Sequence, residues 1–352
     1  MRAARWHGRG DVRIDEVDVP TPRVDEVLVR VIACGICGTD LEEWRDGPVT
    51  VPVDAPHPVS GARAPMTIGH EVIGVVERAA SNGTGPAVGT VVIPDVVDGC
   101  LDCWWCRSGE QGLCPSLVVR GQTADGGLAE YMTARAASCV VVPNHVDPAL
   151  GALAEPVAVA VRAVRKAGDV AGQHVVILGA GTIGQLIAQV VHRAGALTVI
   201  VVDPDQHRRA LVSDLTGAIA VAPDQLDAAV ARLREPGAST VFECTGRPGQ
   251  LAVALRVARA GGTIVAVGLR DGDEAVPLER LVLGEYRILG TAAHRWDTDV
   301  AEAIRLIADG SIAVAPLVTH RVPLERMVLD GLGALADASS GAVKVLVDCG
   351  RR

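Results

Sequence analysis

Four of the nine cysteines of the chain lie close together, in the segment GCLDCWWCRSGEQGLCP at residues 99–115. Gaps of two, two and seven residues separate them, at Cys100, Cys103, Cys106 and Cys114. Two-residue gaps let successive thiolates turn toward one ion, so the spacing favours a tetrahedral zinc site. Four thiolates leave no open position for a substrate, and this zinc would therefore be structural. Two disulfides and an iron–sulfur cluster are the alternatives, and the long last gap argues against the cluster.

Other residues with metal-binding side chains stand in three short motifs, ACGICGTD at 33–40, IGHE at 68–71 and LAEP at 153–156. A thiolate, an imidazole and one or two carboxylates can bind zinc and leave one position open for a substrate. Spacing alone leaves a second interpretation, because a lone buried cysteine or histidine commonly serves packing. The three motifs therefore give a hypothesis of a catalytic metal site.

The second half of the chain has a repeating pattern of strands and helices. Six runs rich in Val and Ile are HVVILGAG, LTVIVVD, AIAVA, TVFECTG, GTIVAVG and RILGTAA. Stretches with helical periodicity separate them, such as TIGQLIAQVVHRAG and DQHRRALVSDL. Apolar runs without polar alternation are typical of strands buried on both faces of a parallel sheet. The pattern predicts a doubly wound α/β domain from about residue 157 to residue 294.

The first turn of this domain, LGAGTIG, places Gly179, Gly181 and Gly184 in a GxGxxG pattern between an apolar strand and a helix. Glycines at these positions allow a tight turn, close approach of backbone N–H groups to a pyrophosphate, and packing of the helix on the strand. The pattern alone is weak, but its position between a strand and a helix predicts a dinucleotide site.

An acidic residue, Asp203, ends the next strand 19 residues after the last of these glycines. Its carboxylate can accept hydrogen bonds from the adenosine ribose and would repel a 2′-phosphate, which favours NAD over NADP. Arg208 and Arg209 follow closely and keep NADP open, although they also fit a solvated helix face. We therefore expect NAD as the cofactor.

Segments such as EVLVRVIA and VIGVVERAA in the first 155 residues predict a mostly antiparallel β domain.

The composition of the chain narrows the classes of molecule that it could bind. The chain of 352 residues carries 33 Lys and Arg against 42 Asp and Glu, without a basic run, which argues against a nucleic-acid partner. No apolar run approaches the roughly 20 residues that span a bilayer. We expect a cytoplasmic protein with no membrane partner.

Taken in order, the motifs GICGTD, GHE, the four-cysteine loop, EP, GAGTIG and GAVKVLVD cover essentially the whole chain. This arrangement resembles the zinc-dependent medium-chain alcohol and polyol dehydrogenases, and its pattern is most similar to 2,3-butanediol and sorbitol dehydrogenases. The resemblance implies an α/β plus β fold. Its parts would be a GroES-like catalytic domain at 1–156 with a structural zinc lobe at 95–116, a doubly wound Rossmann domain at 157–294, and a return to the catalytic domain at 295–352.

The resemblance also implies the roles of individual residues at the metal. Cys37, His70 and Glu155 would bind the catalytic zinc, and Glu71 would be a nearby carboxylate that binds the metal transiently. Asp40 would hydrogen-bond the ligand imidazole and fix its orientation. The four-cysteine loop would hold the second of two zinc ions per chain.

The remaining implied roles concern proton transfer and the cofactor. Thr39 would hydrogen-bond the substrate oxygen and begin the proton path. Many family members carry a histidine three residues later, where this chain has Glu42; a carboxylate could replace it, or Glu42 is a surface residue. The further cofactor contacts would be Thr182, Ile183, Arg208, Thr245, Gly268, Leu269 and Lys344, the last with an exposed strand charge as its alternative role.

These roles together predict an oxidoreductase that transfers a hydride between NAD and a secondary alcohol or its ketone. A vicinal diol, polyol or cyclitol is the expected substrate class. We expect a homo-oligomer, either a dimer or a tetramer. Two alternatives remain, a metal-free NADPH-dependent reductase and a non-catalytic dinucleotide-binding protein on the same fold, and the number of zinc ions per chain distinguishes them.

Overall fold

The computed structural model describes residues 1–270 and 272–350. The chain divides into two compact units, of which the first comprises Met1–Glu155, His294–Gly310 and Val318–Arg352, and the second comprises Pro156–Ala293 and Ser311–Leu317. The expected return of residues 295–352 is therefore interrupted. Residues 311–317 belong to the second unit because the backbone of Ala313 exchanges two hydrogen bonds, of 2.7 and 3.3 Å, with the side-chain amide of Gln189.

The strands follow one another along the chain as β1 (Arg2–Gly8), β2 (Asp11–Glu16), β3 (Glu26–Ile36), β4 (Met66–Thr67), β5 (Glu71–Arg78), β6 (Val91–Pro94), β7 (Val97–Asp98), β8 (Val118–Val119), β9 (Tyr131–Arg135), β10 (Cys139–Val141), β11 (His174–Leu178), β12 (Thr198–Val202), β13 (Ile219–Val221), β14 (Ala238–Glu243), β15 (Ala258–Ala266), β16 (Arg287–Gly290), β17 (Val318–Pro323) and β18 (Lys344–Asp348). The helices are α1 (Gly38–Asp46), α2 (Trp104–Arg107), α3 (Pro148–Gly151), α4 (Ala154–Ala167), α5 (Thr182–Arg193), α6 (Gln206–Thr216), α7 (Leu226–Val230), α8 (Gln250–Val257), α9 (Leu278–Leu283), α10 (Ala301–Ala308) and α11 (Gly333–Ala336). A π-helical turn, Trp296–Val300, precedes α10.

The first unit is mostly antiparallel, as its sequence predicts. Its largest sheet has the order β10-β6-β5-β3-β18-β17, with β9 also pairing with β3, and only β17 and β18 run parallel to each other. Strand β3 is the longest member and nearly all of its side chains are buried. Because β3 is flanked by β5 on one side and β18 on the other, the residues that follow its end lie beside the starts of both neighbours. A smaller sheet has the order β2-β1-β4, and β7 pairs with β8.

The second unit is built on one parallel sheet with the strand order β13-β12-β11-β14-β15-β16. All six strands predicted from the apolar runs are present, and helices occupy the predicted segments between them. Every residue of β11 and β14 is buried, as expected for central strands covered on both faces. This order is that of a doubly wound dinucleotide-binding fold, whose ligands bind at the carboxyl edge of the sheet.

Each unit has its own apolar core. In the first, side chains from β1, β3, β5 and β18 pack around Trp6, Ile36 and Leu128, which are almost fully buried. In the second, β11, β12, β14 and β15 pack with α8, including Leu178, Ile200 and Leu255. No helix within the described residues combines the length and apolar composition needed to cross a bilayer.

Candidate functional site

The four cysteines of the loop at 100–114 point toward one another. The Sγ atoms of Cys100 and Cys106 are 4.0 Å apart, and those of Cys103 and Cys114 are 3.8 Å apart. A tetrahedral zinc with Zn–S distances of about 2.3 Å requires sulfur atoms about 3.8 Å from each other, so the loop fits the ion. A disulfide requires about 2.05 Å, and neither pair approaches that distance. The structure thus brings the four predicted ligands together.

Backbone N–H groups support the thiolate form in this loop. The N–H groups of Cys103, Cys106 and Ser116 donate to the Sγ atoms of Cys100, Cys103 and Cys114 at 3.3 to 3.4 Å. Donors from Asp102 and Cys103 lower the pKa of Cys100 to about 6, whereas burial and the neighbouring thiol of Cys103 raise the pKa of Cys106 to about 12. One thiol of the group resists ionisation, and a divalent cation would stabilise its thiolate.

A second cluster joins the ends of two neighbouring strands. Ligand atoms of Cys37, His70 and Glu71 all lie within 4.8 Å of one another. Cys37 follows β3 directly and precedes α1, while His70 and Glu71 stand where β5 begins. Because β3 and β5 are paired antiparallel with Gly35 opposite Glu71, the register of the sheet fixes this meeting. The thiol, imidazole and carboxylate form a donor set that suits zinc.

Asp40 holds the two segments that carry these residues. Its Oδ2 accepts the N–H of Cys37 at 2.9 Å, and its Oδ1 accepts the N–H of Gly69 at 3.2 Å. The expected hydrogen bond to the imidazole is not formed, because Oδ1 lies 3.7 Å from Nδ1 of His70. Burial on its own would lower the pKa of His70, but the charges of Asp40 and Cys37 outweigh burial and raise that pKa well above its usual value. Asp40 therefore positions the backbone of both ligands and acts on the imidazole through its charge.

Thr39 and Glu42 lie three residues apart on α1 and so share one face of the helix. The Thr39 hydroxyl is 3.4 Å from Nε2 of His70, at the edge of hydrogen-bonding distance. Glu42 is half-buried, and burial outweighs the nearby Arg45 to raise the pKa of the Glu42 carboxyl. Both predicted roles of Glu42, a member of the proton path and a surface residue, agree with this half-buried position.

Lys344 requires a correction. Its Nζ donates to Oε1 and Oε2 of Glu71 at 2.7 and 2.8 Å and to the carbonyl oxygen of Ile36 at 2.9 Å. These contacts use all three ammonium hydrogens, and the residue is 2 % exposed. Lys344 is therefore neither a phosphate-binding residue nor an exposed strand charge, but the buried cation that compensates Glu71. The Glu71 carboxylate raises the pKa of Lys344 despite its burial.

Glu155, at the start of α4, lies outside the cluster of Cys37, His70 and Glu71. Its Oε1 is 3.2 Å from Nδ1 of His294, and Nε2 of the same ring is 3.0 Å from Oδ1 of Asp95. Burial alone would lower the pKa of His294, but the two carboxylates raise it to about 10. Burial alone would raise the pKa of Glu155, and His294 holds it below its usual value. The sequence interpretation missed Asp95 and His294 because neither stands in a motif with ligand spacing.

The predicted glycine turn has the geometry that a dinucleotide needs. Gly179 adopts φ of 97°, and a Cβ on Gly184 would stand 1.9 Å from the carbonyl oxygen of Gly179, so neither position accepts a side chain. A Cβ on Gly181 would meet nothing within 4 Å. The space beside Gly181, at the start of α5, therefore fits a pyrophosphate approaching the helix N-terminus. Thr182 and Ile183 are half-buried in the first turn of that helix.

Asp203 lies beside this turn at the end of β12. Its Oδ2 accepts the N–H of Ala180 at 2.7 Å, and its Oδ1 accepts the N–H of Asp205 at 2.8 Å. A cavity of about 390 Å³ opens next to Asp203 and is lined also by Gly179, Gly181, Arg208, Thr245, Arg247 and Arg256. Arg209 instead donates to the carbonyl oxygens of Asp203 and Pro204 at 2.7 and 2.8 Å. Arg208 thus lines the predicted cofactor cavity and Arg209 closes the end of the strand.

The loops after β14 and β15 meet at the carboxyl edge of the same sheet. A Cβ on Gly268 would stand 2.1 Å from the backbone nitrogen of Gly246, so the two loops touch through backbone atoms. Leu269 is 65 % exposed. Glu243, which the sequence interpretation did not single out, accepts the N–H of Thr245 at 2.7 Å and thereby shapes the first loop. The structure brings Thr245, Gly268 and Leu269 to the edge where a cofactor is expected.

Comparison with known proteins decides the family. The alcohol dehydrogenase GroES-like domain matches residues 23–144, and the zinc-binding dehydrogenase domain matches residues 182–309. A (R,R)-butanediol dehydrogenase of Bacillus subtilis (strain 168) is 32 % identical over 99 % of both chains. The chain belongs to the zinc-binding dehydrogenase family. Its fold, a GroES-like domain with a Rossmann domain, confirms the predicted architecture.

Further members of the family extend the comparison. A sorbitol dehydrogenase of Macaca fascicularis is 30 % identical and covers 97 % of this chain and 94 % of its own. The solved structure of 2R,3R-butanediol dehydrogenase from Bacillus subtilis superposes with a TM-score of 0.91, at 31 % identity and 99 % coverage of both chains. A structure from Sinorhizobium meliloti 1021 bound to NADP, assigned as a zinc-binding dehydrogenase, has a TM-score of 0.86 at 31 % identity and covers 99 % of this chain and 98 % of its own. The predicted resemblance to butanediol and sorbitol dehydrogenases is confirmed.

Proposed function

We propose that the chain is a zinc-dependent dehydrogenase that transfers a hydride between NAD and a secondary alcohol of the vicinal diol, polyol or cyclitol class. The observation that carries the proposal is the meeting of Cys37, His70 and Glu71 in one cluster, with Glu155 buried in the same unit of the protein. Burying an imidazole and a carboxylate beside a half-buried thiol is costly for packing alone, because charged groups lose their hydration. A divalent cation would compensate that cost.

Cys37, His70 and Glu155 would hold this zinc, and Glu71 would remain a neighbour. Both oxygens of Glu71 already accept hydrogen bonds from Lys344, so its charge is compensated. Oε1 of Glu155 faces Nδ1 of His294 at 3.2 Å, and its second oxygen would be the one to bind the metal. When bound, zinc supplies a Lewis acid that lowers the pKa of an alcohol. The cysteine loop at 100–114 would hold a second, structural zinc.

Thr39 would orient the alcohol and take its proton. Its hydroxyl already lies beside the imidazole of His70, and a hydroxyl both donates and accepts. Glu42, on the same face of α1, would pass the proton toward solvent. Its raised pKa brings the carboxyl closer to the pH at which it can exchange a proton.

The cofactor would lie across the glycine turn of the second unit. The N-terminal turn of α5, with Thr182 and Ile183, would bind the pyrophosphate, and Asp203 would accept hydrogen bonds from the adenosine ribose. Asp203 favours NAD, because a buried carboxylate repels a 2′-phosphate. The arginines of the cavity are the groups that would accept NADP. The relative from Sinorhizobium meliloti is bound to NADP, so the choice of cofactor requires a direct test.

The test is a screen of vicinal diols, polyols and cyclitols with NAD and with NADP, in which reduced nicotinamide is followed, together with a zinc count. We expect about two zinc ions per chain and turnover with at least one diol or polyol and NAD. A count of one with no turnover would support a non-catalytic protein that holds only the loop zinc. No zinc and turnover with NADPH would support the metal-free reductase.

A further inference from the structure

We propose that His294 is a positioning residue for the candidate zinc site and that it fixes the carboxylate of Glu155 for metal binding. Asp95 would in turn hold the ring of His294. The inference rests on the proposed function, because it takes Cys37, His70 and Glu155 as the zinc ligands. It adds two residues that no sequence motif marks.

The ring of His294 is held in one orientation. Its side chain is 1 % exposed, and its Nε2 is 3.0 Å from Oδ1 of Asp95. The same Oδ1 accepts the N–H of Val97 at 3.1 Å, and the N–H of Asp95 donates to the carbonyl oxygen of Ser138 at 3.1 Å. The backbone on both sides of Asp95 therefore sets where its carboxylate lies. The contact with Asp95 in turn positions the imidazole.

The other ring nitrogen faces the predicted ligand. Nδ1 of His294 is 3.2 Å from Oε1 of Glu155, yet it completes no hydrogen bond with good angles, so the carboxylate is close but not locked. A carboxylate restrained at one oxygen can still turn its second oxygen. Glu155 lies outside the cluster of Cys37, His70 and Glu71, so to bind the proposed zinc its second oxygen would have to turn toward that cluster.

The two glutamates contact different buried side chains. Lys344 binds both oxygens of Glu71, whereas His294 faces one oxygen of Glu155. Without His294, Oε1 of Glu155 would lose the ring nitrogen that faces it at 3.2 Å, and the carboxylate would be free to turn away from the metal site. His294 would thus restrain the orientation in which Glu155 meets the metal.

The experiment compares metal retention in the full-length zinc protein and in His294→Ala. His174→Ala is the matched control, because His174 is equally buried but lies in the second unit, and its ring nitrogens have no hydrogen-bond partner among the described residues. Zinc is counted by mass spectrometry after dialysis against graded concentrations of a chelator. We expect one of the two zinc ions of His294→Ala to leave at about 10- to 100-fold lower chelator concentration, with the other ion unaffected.

Replacement of the labile zinc by Co²⁺ gives a second readout that does not depend on activity. The visible d–d bands of Co²⁺ report its ligand set, so His294→Ala should shift them and His174→Ala should not. Asp95→Asn keeps the size of the side chain. It should lower metal retention and shift the Co²⁺ bands in the same direction as His294→Ala, but by a smaller amount. His294→Gln, which retains one amide donor, should recover part of both and remains informative if His294→Ala does not fold.

Two results overturn the inference in different ways. A wild-type protein with two zinc ions, and variants at positions 294 and 95 with the same retention and the same bands, would overturn the role of His294 alone. A wild-type protein that holds only the loop zinc would overturn the proposed function and this inference with it.

Discussion

Glu155 and His294 face each other across 3.2 Å, and they are the residues at which the chain leaves the first unit for the first time and first re-enters it. Two crossings that lie far apart in the sequence are therefore joined by one buried contact between side chains. One of these side chains is a predicted zinc ligand. Any change that separates Glu155 from His294 would also move Glu155, the predicted ligand. The candidate metal site and the connection between these two segments of the chain therefore depend on the same pair of residues.

Substitution of Cys37 by alanine tests the catalytic zinc. Because one of three protein ligands is removed, the zinc content of Cys37→Ala should fall from two ions per chain to one, and turnover should be lost. The loop zinc and the fold should remain. Zinc counting and circular dichroism measure both effects. Cys139→Ala is the control, since Cys139 is half-buried and lies outside both clusters. Retained turnover in Cys37→Ala would show that the ligand assignment is wrong.

Substitution of Lys344 tests the buried ion pair. Lys344→Met leaves Glu71 buried without its cation, which should cost about 3–5 kcal/mol in the free energy of unfolding of the first unit. The double variant Lys344→Met/Glu71→Gln should recover most of that loss, because it buries no unpaired charge. Lys166→Met is the control, since Lys166 is the other lysine of the chain and is exposed.

Tryptophan fluorescence during urea unfolding measures this effect in the correct unit. All five tryptophans belong to the first unit, at positions 6, 44, 104, 105 and 296. The second unit therefore unfolds without contributing to the signal. Equal midpoints for wild type and Lys344→Met would contradict a compensating role for the lysine.

Asp203 tests the choice of cofactor. If its carboxylate accepts hydrogen bonds from the ribose and repels a 2′-phosphate, the wild-type protein should have a higher kcat/KM with NAD than with NADP. In Asp203→Ser the two kcat/KM values should lie closer together. The variant should also bind NAD more weakly, because Asp203 holds the N–H of Ala180 in the glycine turn. Asp205→Ser is the control, since serine can replace Asp205 as the N-cap of α6. A preference of wild type for NADP would contradict the assignment.

Glu42 tests the proton path through the pH dependence of alcohol oxidation. A group that accepts a proton must be ionised, so activity should fall as the pH decreases through its pKa, which burial raises above the ordinary value of about 4.3. Glu42→Gln should slow oxidation severalfold with unchanged zinc content. Glu42→His should move the acidic limb of the kcat profile upward, toward about 6.5.

The stability of the same variant provides the control for this test. A raised pKa means that the folded protein holds the proton of Glu42 more tightly than the unfolded chain does, so the ionised carboxylate lowers stability at neutral pH. Glu42→Gln should therefore be no less stable than wild type. Asp46→Asn removes an exposed acid from the same helix and should leave the kcat profile unchanged. Identical profiles for wild type and both Glu42 variants would exclude the carboxylate from the path.

The sequence predicted the parts of the molecule that local patterns determine. Apolar runs predicted the buried strands β11 and β14, and the glycine pattern predicted a turn in which Gly184 has no room for a side chain. Contacts between distant segments were not predictable in this way. Asp95 and His294 are 199 residues apart, and Lys344 reaches Glu71 only because β18 pairs beside β3. No spacing rule connects such positions, so the partners of both carboxylates emerged from the structure alone.

The position of Lys344 has a consequence for the synthesis of the protein. Glu71 and Lys344 are 273 residues apart in the chain. At the ~5–20 residues per second of translation, Glu71 leaves the ribosome about 14–55 s before the lysine that compensates its charge. The second unit, made within that interval, can fold while the large sheet of the first still lacks β17 and β18. Until the strand Lys344–Asp348 is made, the carboxylate of Glu71 must therefore stay in contact with water or pair with another cation.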